Sequence, residues 1–125
     1  MITKKQKKIN AKERHMKTKA YAKKQLKKNE KQKDNEWRQK VIEQYGARCA
    51  ICKNIKKPNA HHIIPRTFKE TRWDPENGIM LCPRHHKFGK FSAHKNPLWF
   101  ITLLIKNEPK KYKYLITKLA EIIKK

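Results

Sequence analysis

All three cysteines and five of the six histidines of the 125-residue chain lie between residues 49 and 94. Cys49 and Cys52 form one pair with two residues between them, and Cys82 and His85 form a second pair at the same spacing. Two such pairs are typical of tetrahedral structural zinc, which takes thiolate and imidazole ligands. The matched spacing of the pairs favours a metal site over free buried cysteines. The odd number of cysteines argues against a disulfide framework. We therefore predict a zinc ion that stabilises a small domain.

The other histidines of this segment have the type and placement for a second metal site. His61 and His62 are adjacent, so on a strand their side chains point to opposite faces. One of them can bind a metal ion while the other approaches a water molecule. His86 follows the zinc-binding His85 at the start of a predicted helix, and its side chain leaves a different face of that helix. It can therefore meet His61 at that second ion.

Asn77 and His94 are the remaining candidates for this site. Asn77 stands directly before a predicted strand, where its amide can bridge loop and strand. His94 follows the other histidines from a predicted loop. It is either a third ligand of the second ion or a surface or capping histidine.

The order of these residues is that of a known family. The segment Cys49 to His94 resembles the HNH family of ββα-metal nucleases, especially its zinc-knuckle members in phages and mobile elements. The matching motifs are Cys49-Ala-Ile-Cys52, His61-His62-Ile-Ile-Pro65 and Asn77-Gly-Ile-Met-Leu-Cys82-Pro-Arg-His85-His86. The resemblance implies that His61 and His86 bind a catalytic divalent ion, which is Mg²⁺, Mn²⁺ or another ion. It also implies that His62 is the general base and that Asn77 has an orienting role.

Two positions depart from the family pattern. The family usually has a cysteine where this chain has His85, although histidine can also bind zinc. His85 and His86 can therefore exchange roles, because either can reach an ion. Many members also have a histidine one helical turn after the last ligand, where this chain has Lys90. We expect His94 or water to fill that place.

The resemblance implies a metal-dependent endonuclease that hydrolyses phosphodiester bonds in DNA, with RNA less favoured as the substrate. A non-catalytic zinc-stapled nucleic-acid-binding module is the main alternative, and a ribosome-associated basic zinc protein is another. We favour the endonuclease because neither alternative needs the adjacent histidines together with Asn77 and His86. No recognition helix or repeated reader module is evident, so we expect weak sequence specificity.

The charge of the chain points to a polyanionic partner. The formal net charge is +24, with 35% charged and 37% apolar residues, which is too polar for the whole chain to pack into a core. Residues 1–36 hold 14 Lys+Arg and 4 Asp+Glu, a net charge of 14 − 4 = +10. We interpret them as a basic tail, helical or disordered, that can also grip phosphates. Residues 37–125 are then the nuclease domain.

Basic side chains near the motifs are candidates for contacts to nucleic acid. Arg66 and Arg84 flank the motifs and can hold neighbouring phosphates, or they are ordinary surface arginines. Lys87 and Lys90 are expected to add positive charge near the substrate. Trp73 can stack on a base, although packing over its own loop is the commoner use of such a tryptophan.

Helices are predicted on both sides of the motif segment. Apolar residues recur at helical spacing from Trp37 to Tyr45, and Gly46 is a natural C-cap. Two further helices, each begun by a proline, are predicted within residues 97–123 and should cover the core.

The motif core itself, residues 48–94, is predicted to contain two strands and a helix. The strands lie at residues 60–64 and 79–81, with a turn-rich loop at 71–78 between them, and Pro83 suits the first turn of a helix. The expected fold class is α+β, a small zinc-stapled ββα-metal core with flanking helices.

No membrane or secretory segment is evident in the sequence. No stretch approaches the ~20 apolar residues of a membrane-spanning helix, and the N-terminal region has lysines without the apolar run of a signal peptide. We therefore expect a cytoplasmic protein that does not act on membranes. No protein partner is inferred.

Overall fold

The computed structural model describes residues 3–4 and 18–124 of the chain. Residues 1–33 and residues 34–125 form two units, which are described separately below. The tail predicted for residues 1–36 lies partly outside the described residues.

The long helix α1, Lys19–Tyr45, changes character along its length. Up to Lys33 it is lysine-rich and its side chains are almost all exposed. Further along, Trp37 and Val41 are buried on one stripe, as their spacing predicts. The helix ends at Tyr45 and is followed by Gly46, which has a φ of 76° that glycine adopts without strain.

A small antiparallel sheet forms the centre of the second unit. Strand β1, Asn59–His62, pairs with strand β2, Gly78–Leu81, and all four residues of β2 are buried. The first strand ends two residues earlier than predicted. The reason is that the backbone N–H of Ile64 donates to the side-chain Oδ1 of Asn77 at 2.6 Å instead of continuing the ladder.

Two short helical segments lie beside this sheet. Helix α2, Lys69–Arg72, interrupts the loop between the strands, and α3, Arg84–Phe88, is a single π-helical turn. Pro83 precedes α3 with a helical φ of −53°, in keeping with the preference of proline for a first turn. The order strand, loop, strand, helix is the one that the sequence predicts.

The two predicted C-terminal helices are confirmed. Helix α4 spans Pro97–Asn107 and helix α5 spans Pro109–Ile123. The side chain of Asn96 caps α4 by accepting the backbone N–H of Trp99 at 3.1 Å. Helix α4 buries the apolar side chains of Phe100 and Leu104, and helix α5 buries that of Leu115.

The core forms where α1 and the C-terminal helices meet the sheet. One cluster gathers Ile79 and Leu81 with Phe100 and Leu104, and another gathers Trp37, Val41 and Met80. A side chain on Gly78 would clash with Trp37 and Val41, so the glycine allows α1 to pack closely on β2. The α+β class is thus confirmed. None of the helices in the described ranges is long and apolar enough to cross a membrane.

Candidate zinc site and active site

The two Cys/His pairs come together at the turn after α1 and the start of α3. The Sγ atoms of Cys52 and Cys82 are 3.7 Å apart, and Nδ1 of His85 lies 3.3 Å from Sγ of Cys82 and 3.7 Å from Sγ of Cys49. All four candidate ligand atoms lie within 4.8 Å of one another. Thiolates on a tetrahedral zinc ion, at about 2.3 Å from the metal, are about 3.8 Å apart. The geometry therefore fits a zinc ion held by these four residues.

Backbone hydrogen bonds prepare Cys49 for this role. Burial raises the pKa of its thiol, but hydrogen bonds from backbone groups, including the N–H of Ile51 at 3.4 Å from Sγ, outweigh burial and lower that pKa. A lowered pKa favours the thiolate, which is the form that binds metal.

Three histidines form a second group of candidate ligands. His61 on β1, His86 on α3 and His94 in the following loop offer ring nitrogens that all lie within 4.8 Å of one another. The Nε2 atoms of His86 and His94 are only 3.1 Å apart. Burial, followed by the charges of His86 and His94, lowers the pKa of His61 to about 3. Burial likewise lowers the pKa of His86 to about 4, so both rings are neutral and keep a lone pair for a metal ion.

Backbone pairing brings His94 to this cluster from a distant position. The N–H of Ala93 donates to the carbonyl of His85 at 2.8 Å, and the N–H of His94 donates to the carbonyl of His86 at 3.1 Å. The loop therefore folds back along α3. The sequence left open whether His94 joins the other histidines, and the structure has it beside His86. The sequence also left open whether His85 and His86 exchange roles, and the structure has His85 with the cysteines and not with the histidine cluster.

His62 points to the other side of β1 and has a different environment. Its ring stacks on Trp37, with the ring centroids 3.7 Å apart and an interplanar angle of 4°. Its Nε2 lies 2.9 Å from the backbone carbonyl of Arg72. Because a carbonyl oxygen can only accept, Nε2 carries the hydrogen and Nδ1 keeps the lone pair. Burial lowers the pKa of His62, although the Arg72 carbonyl and the charge of Asp34 oppose this.

Asn77 is fully buried and links the end of β1 to the loop. Its Nδ2 donates to the carbonyls of Ile64 at 3.0 Å and Thr71 at 3.1 Å, and its Oδ1 accepts the N–H of Ile64. The amide bridges these segments, as the sequence led us to expect. It fixes the backbone directly before Arg72, whose carbonyl holds His62.

One cavity of about 610 Å³ joins the candidate ligands and His62. His61, His86 and His94 line it together with His62, Arg66 and Lys87. The other two predicted nucleic-acid contacts are not at this cavity. Arg84 and Lys90 line a separate pocket on the other side of α3.

The geometry places a neutral histidine and three candidate metal ligands around one basic cavity. The order of the motifs that build this site is decisive for its classification. Residues 49–92 match the HNH endonuclease family. The resemblance inferred from the sequence is thereby confirmed over about a third of the chain. No curated protein and no solved structure matches the chain.

The HNH segment is held by residues of α1 that the motifs do not include. The carboxylate of Asp34 accepts hydrogen bonds from Nε and Nη2 of Arg72 at 3.0 and 2.8 Å, and from Nε1 of Trp73 at 2.9 Å. Trp37 donates to the carbonyl of Asp74 at 2.8 Å while it stacks on His62. The indole of Trp73 is thus hydrogen-bonded to α1 and packs against the cluster of Trp37, Val41 and Met80.

Sequence reasoning missed Asp34 as a positioning residue because it lies in a run of lysines. One signal was available. Asp34 precedes Trp37 by three residues and Val41 by seven, so it lies on the same stripe of α1.

Proposed function

We propose that this protein is a metal-dependent endonuclease that hydrolyses phosphodiester bonds of DNA, with residues 34–125 as the catalytic domain. The observation that carries this proposal is that one cavity is lined both by His62, in a fixed tautomer, and by the cluster of His61, His86 and His94. A binding module has no use for that arrangement.

His62 is the general base in this proposal. Its Nε2–H is held by the Arg72 carbonyl, so Nδ1 is the nitrogen that accepts a proton from the water molecule attacking phosphorus. Stacking on Trp37 fixes the plane of the ring. The protonated ring is stabilised by the Arg72 carbonyl and by the negative charge of Asp34.

His61, His86 and His94 would hold the divalent ion. When bound, such an ion stabilises charge on the phosphate and on the leaving oxygen. The cluster consists of imidazoles without a carboxylate in the described part of the chain. Imidazole ligands suit zinc, nickel, iron and copper, whereas magnesium prefers oxygen. We therefore expect transition-metal ions to bind here more tightly than Mg²⁺.

Arg66 and Lys87 are the proposed phosphate contacts at the cavity. Both line it beside the histidines, where their charges can hold the phosphates on either side of the scissile bond. The net charge of +24 adds affinity that does not depend on base sequence. We thus propose DNA as the substrate and expect little sequence preference.

Incubation with supercoiled plasmid tests the proposal. The protein should relax or linearise plasmid when Mn²⁺, Ni²⁺ or Mg²⁺ is added, and should leave it intact without added ion. A His62→Ala variant purified by the same protocol controls for contaminating nucleases. If plasmid, single-stranded DNA and RNA all stay intact with every ion, the protein is a zinc-stapled binding module. Cleavage of RNA alone would reassign the substrate.

A further inference from the structure

A second pocket, of about 490 Å³, lies on the side of α3 away from the histidine cavity. Its lining combines aromatic and cationic side chains with one glycine: Arg84, His85, Gly89, Lys90, Phe91 and Trp99. Phe91 is 58% exposed, although it is a large apolar residue on a highly charged protein. No role in the proposed hydrolysis accounts for this pocket.

The aromatic rings of the pocket contact one another and the imidazole of His85. The ring of Phe91 lies 5.9 Å from that of Trp99, at an interplanar angle of 54°. The imidazole of His85, which also lines the pocket, lies 6.0 Å from the ring of Trp99 at an interplanar angle of 20°. His85 is itself fixed beside Cys49 and Cys82, so the wall is anchored to the candidate zinc site. A preformed aromatic wall loses little conformational entropy when a flat ligand stacks on it.

Its composition matches a nucleotide better than an apolar ligand. Exposed aromatic faces bind nucleic-acid bases by stacking, and neighbouring cations bind the phosphates on either side. Arg84 and Lys90 supply those cations at the pocket. An aromatic stacking wall also needs a base whose faces are free, which excludes a base stacked within a duplex.

The position of the pocket relates it to the histidine cavity. The single turn α3 gives His86 and Lys87 to that cavity and gives Arg84 and His85 to this pocket. A nucleic-acid strand that passes over α3 therefore meets both sites.

We propose that the pocket lined by Phe91, Trp99, Arg84 and Lys90 is a subsite for an unpaired nucleotide base. Phe91 and Trp99 take the base, and Arg84 and Lys90 take its flanking phosphates. This deepens the proposed function, since it names single-stranded or unstacked DNA as the form that the protein grips. Binding at the subsite is nevertheless independent of cleavage.

Equilibrium binding with matched oligonucleotides tests the subsite. Single-stranded oligothymidylate of about 12 nucleotides is compared with an abasic strand of the same length, without added divalent ion. The full chain should bind the strand with bases more tightly. Phe91→Ala should weaken that binding by roughly 5- to 150-fold and leave the affinity for the abasic strand unchanged. Phe88→Ala is the matched control, since Phe88 is 73% exposed on α3 but lines neither cavity.

Two further variants separate stacking from folding. Phe91→Leu keeps an apolar side chain on Trp99 but lacks a ring, so it should bind like Phe91→Ala. Phe91→Tyr keeps the ring and should bind like the parent. Zinc content and thermal unfolding verify that each variant is folded.

The following results would overturn the subsite. Either Phe91→Leu binds like the parent, or Phe88→Ala weakens binding as much as Phe91→Ala, or the abasic strand binds as tightly as the strand with bases. A protein that shows the base preference yet cleaves nothing would retain the subsite and lose the proposed nuclease activity. The reverse result would remove the subsite alone.

Discussion

His61 and His62 share a peptide bond but lie in different environments. Strand alternation predicts this separation, because consecutive side chains point to opposite faces. His61 meets two other histidines, whereas His62 stacks on Trp37. The tautomer of His62 could not be predicted, because the carbonyl that fixes it belongs to Arg72, ten residues away at the end of α2.

The four candidate zinc ligands predict that the protein binds one equivalent of zinc. His61→Ala removes one ligand from the histidine cluster, so that protein should retain one equivalent of zinc in elemental analysis. Cys49→Ser in the same background should lose this zinc and unfold, because structural zinc contributes on the order of 10 kcal/mol to folding. A folded Cys49→Ser protein with less than half an equivalent of zinc would contradict the zinc assignment.

The sequence left open which of His85 and His86 binds with the cysteines and which with the other histidines. Adjacent residues at the start of a helix can each turn toward either ion, and spacing alone does not choose between them. In the structure, His85 lies with Cys49 and Cys82, and His86 lies with His61. The choice depends on the π-helical turn of α3, which the sequence did not predict.

At the scale of elements, α1 positions the HNH segment from outside its motifs. Trp37 stacks on His62 and Asp34 holds Arg72, whose carbonyl binds His62. Under the proposed function, both act through a neighbour and are positioning residues. The helix was predictable from its apolar stripe, but its contacts to the HNH segment depend on tertiary packing.

Replacement of Trp37 tests this positioning. Trp37→Leu keeps apolar volume without a ring face, and should lower the single-turnover cleavage rate by about tenfold to a hundredfold, because the base loses its orientation. Trp37→Phe also loses the hydrogen bond to Asp74 but keeps a stacking face, so it should be clearly faster than Trp37→Leu. Equal rates in two variants of equal zinc content and DNA affinity would show that stacking does not position His62.

The loop after α3 is the element that sequence reasoning described least well. Its backbone pairs with the carbonyls of His85 and His86, which brings His94 to the cluster. Such pairing has no periodic signal in the sequence. The helices α4 and α5 were predictable, because each begins at a proline and carries a regular apolar pattern.

At the scale of the whole molecule, half of the net charge lies before the second unit. Residues 1–33 hold 14 basic and 2 acidic residues, a net of +12 out of +24. A deletion that tests this segment should end at Lys33, not at residue 36 as the sequence suggested, because Asp34 contacts Arg72 and Trp73.

Removal of residues 1–33 should weaken DNA binding without changing the rate of cleavage of saturating DNA. Each phosphate contact that is lost makes the slope of log K against log salt concentration shallower by about 0.9. Removal of residues 1–17 takes 7 of the basic residues and should give an intermediate slope. The affinity and its salt slope follow from titrations of labelled duplex at several salt concentrations. An unchanged slope in the longer deletion would show that the segment does not grip DNA.

The proposed role of His62 as the base is tested by the rate of plasmid cleavage by His62→Ala, compared with the parent and with His61→Ala over a range of Mn²⁺ concentrations. We expect His62→Ala to lose roughly 10²- to 10⁴-fold in rate at every Mn²⁺ concentration, with zinc content and DNA affinity unchanged, because added metal supplies no base. His61→Ala should recover part of its activity as Mn²⁺ rises, because it lacks only a ligand. If His62→Ala cleaves like the parent, His62 is not the base and the proposed mechanism is wrong.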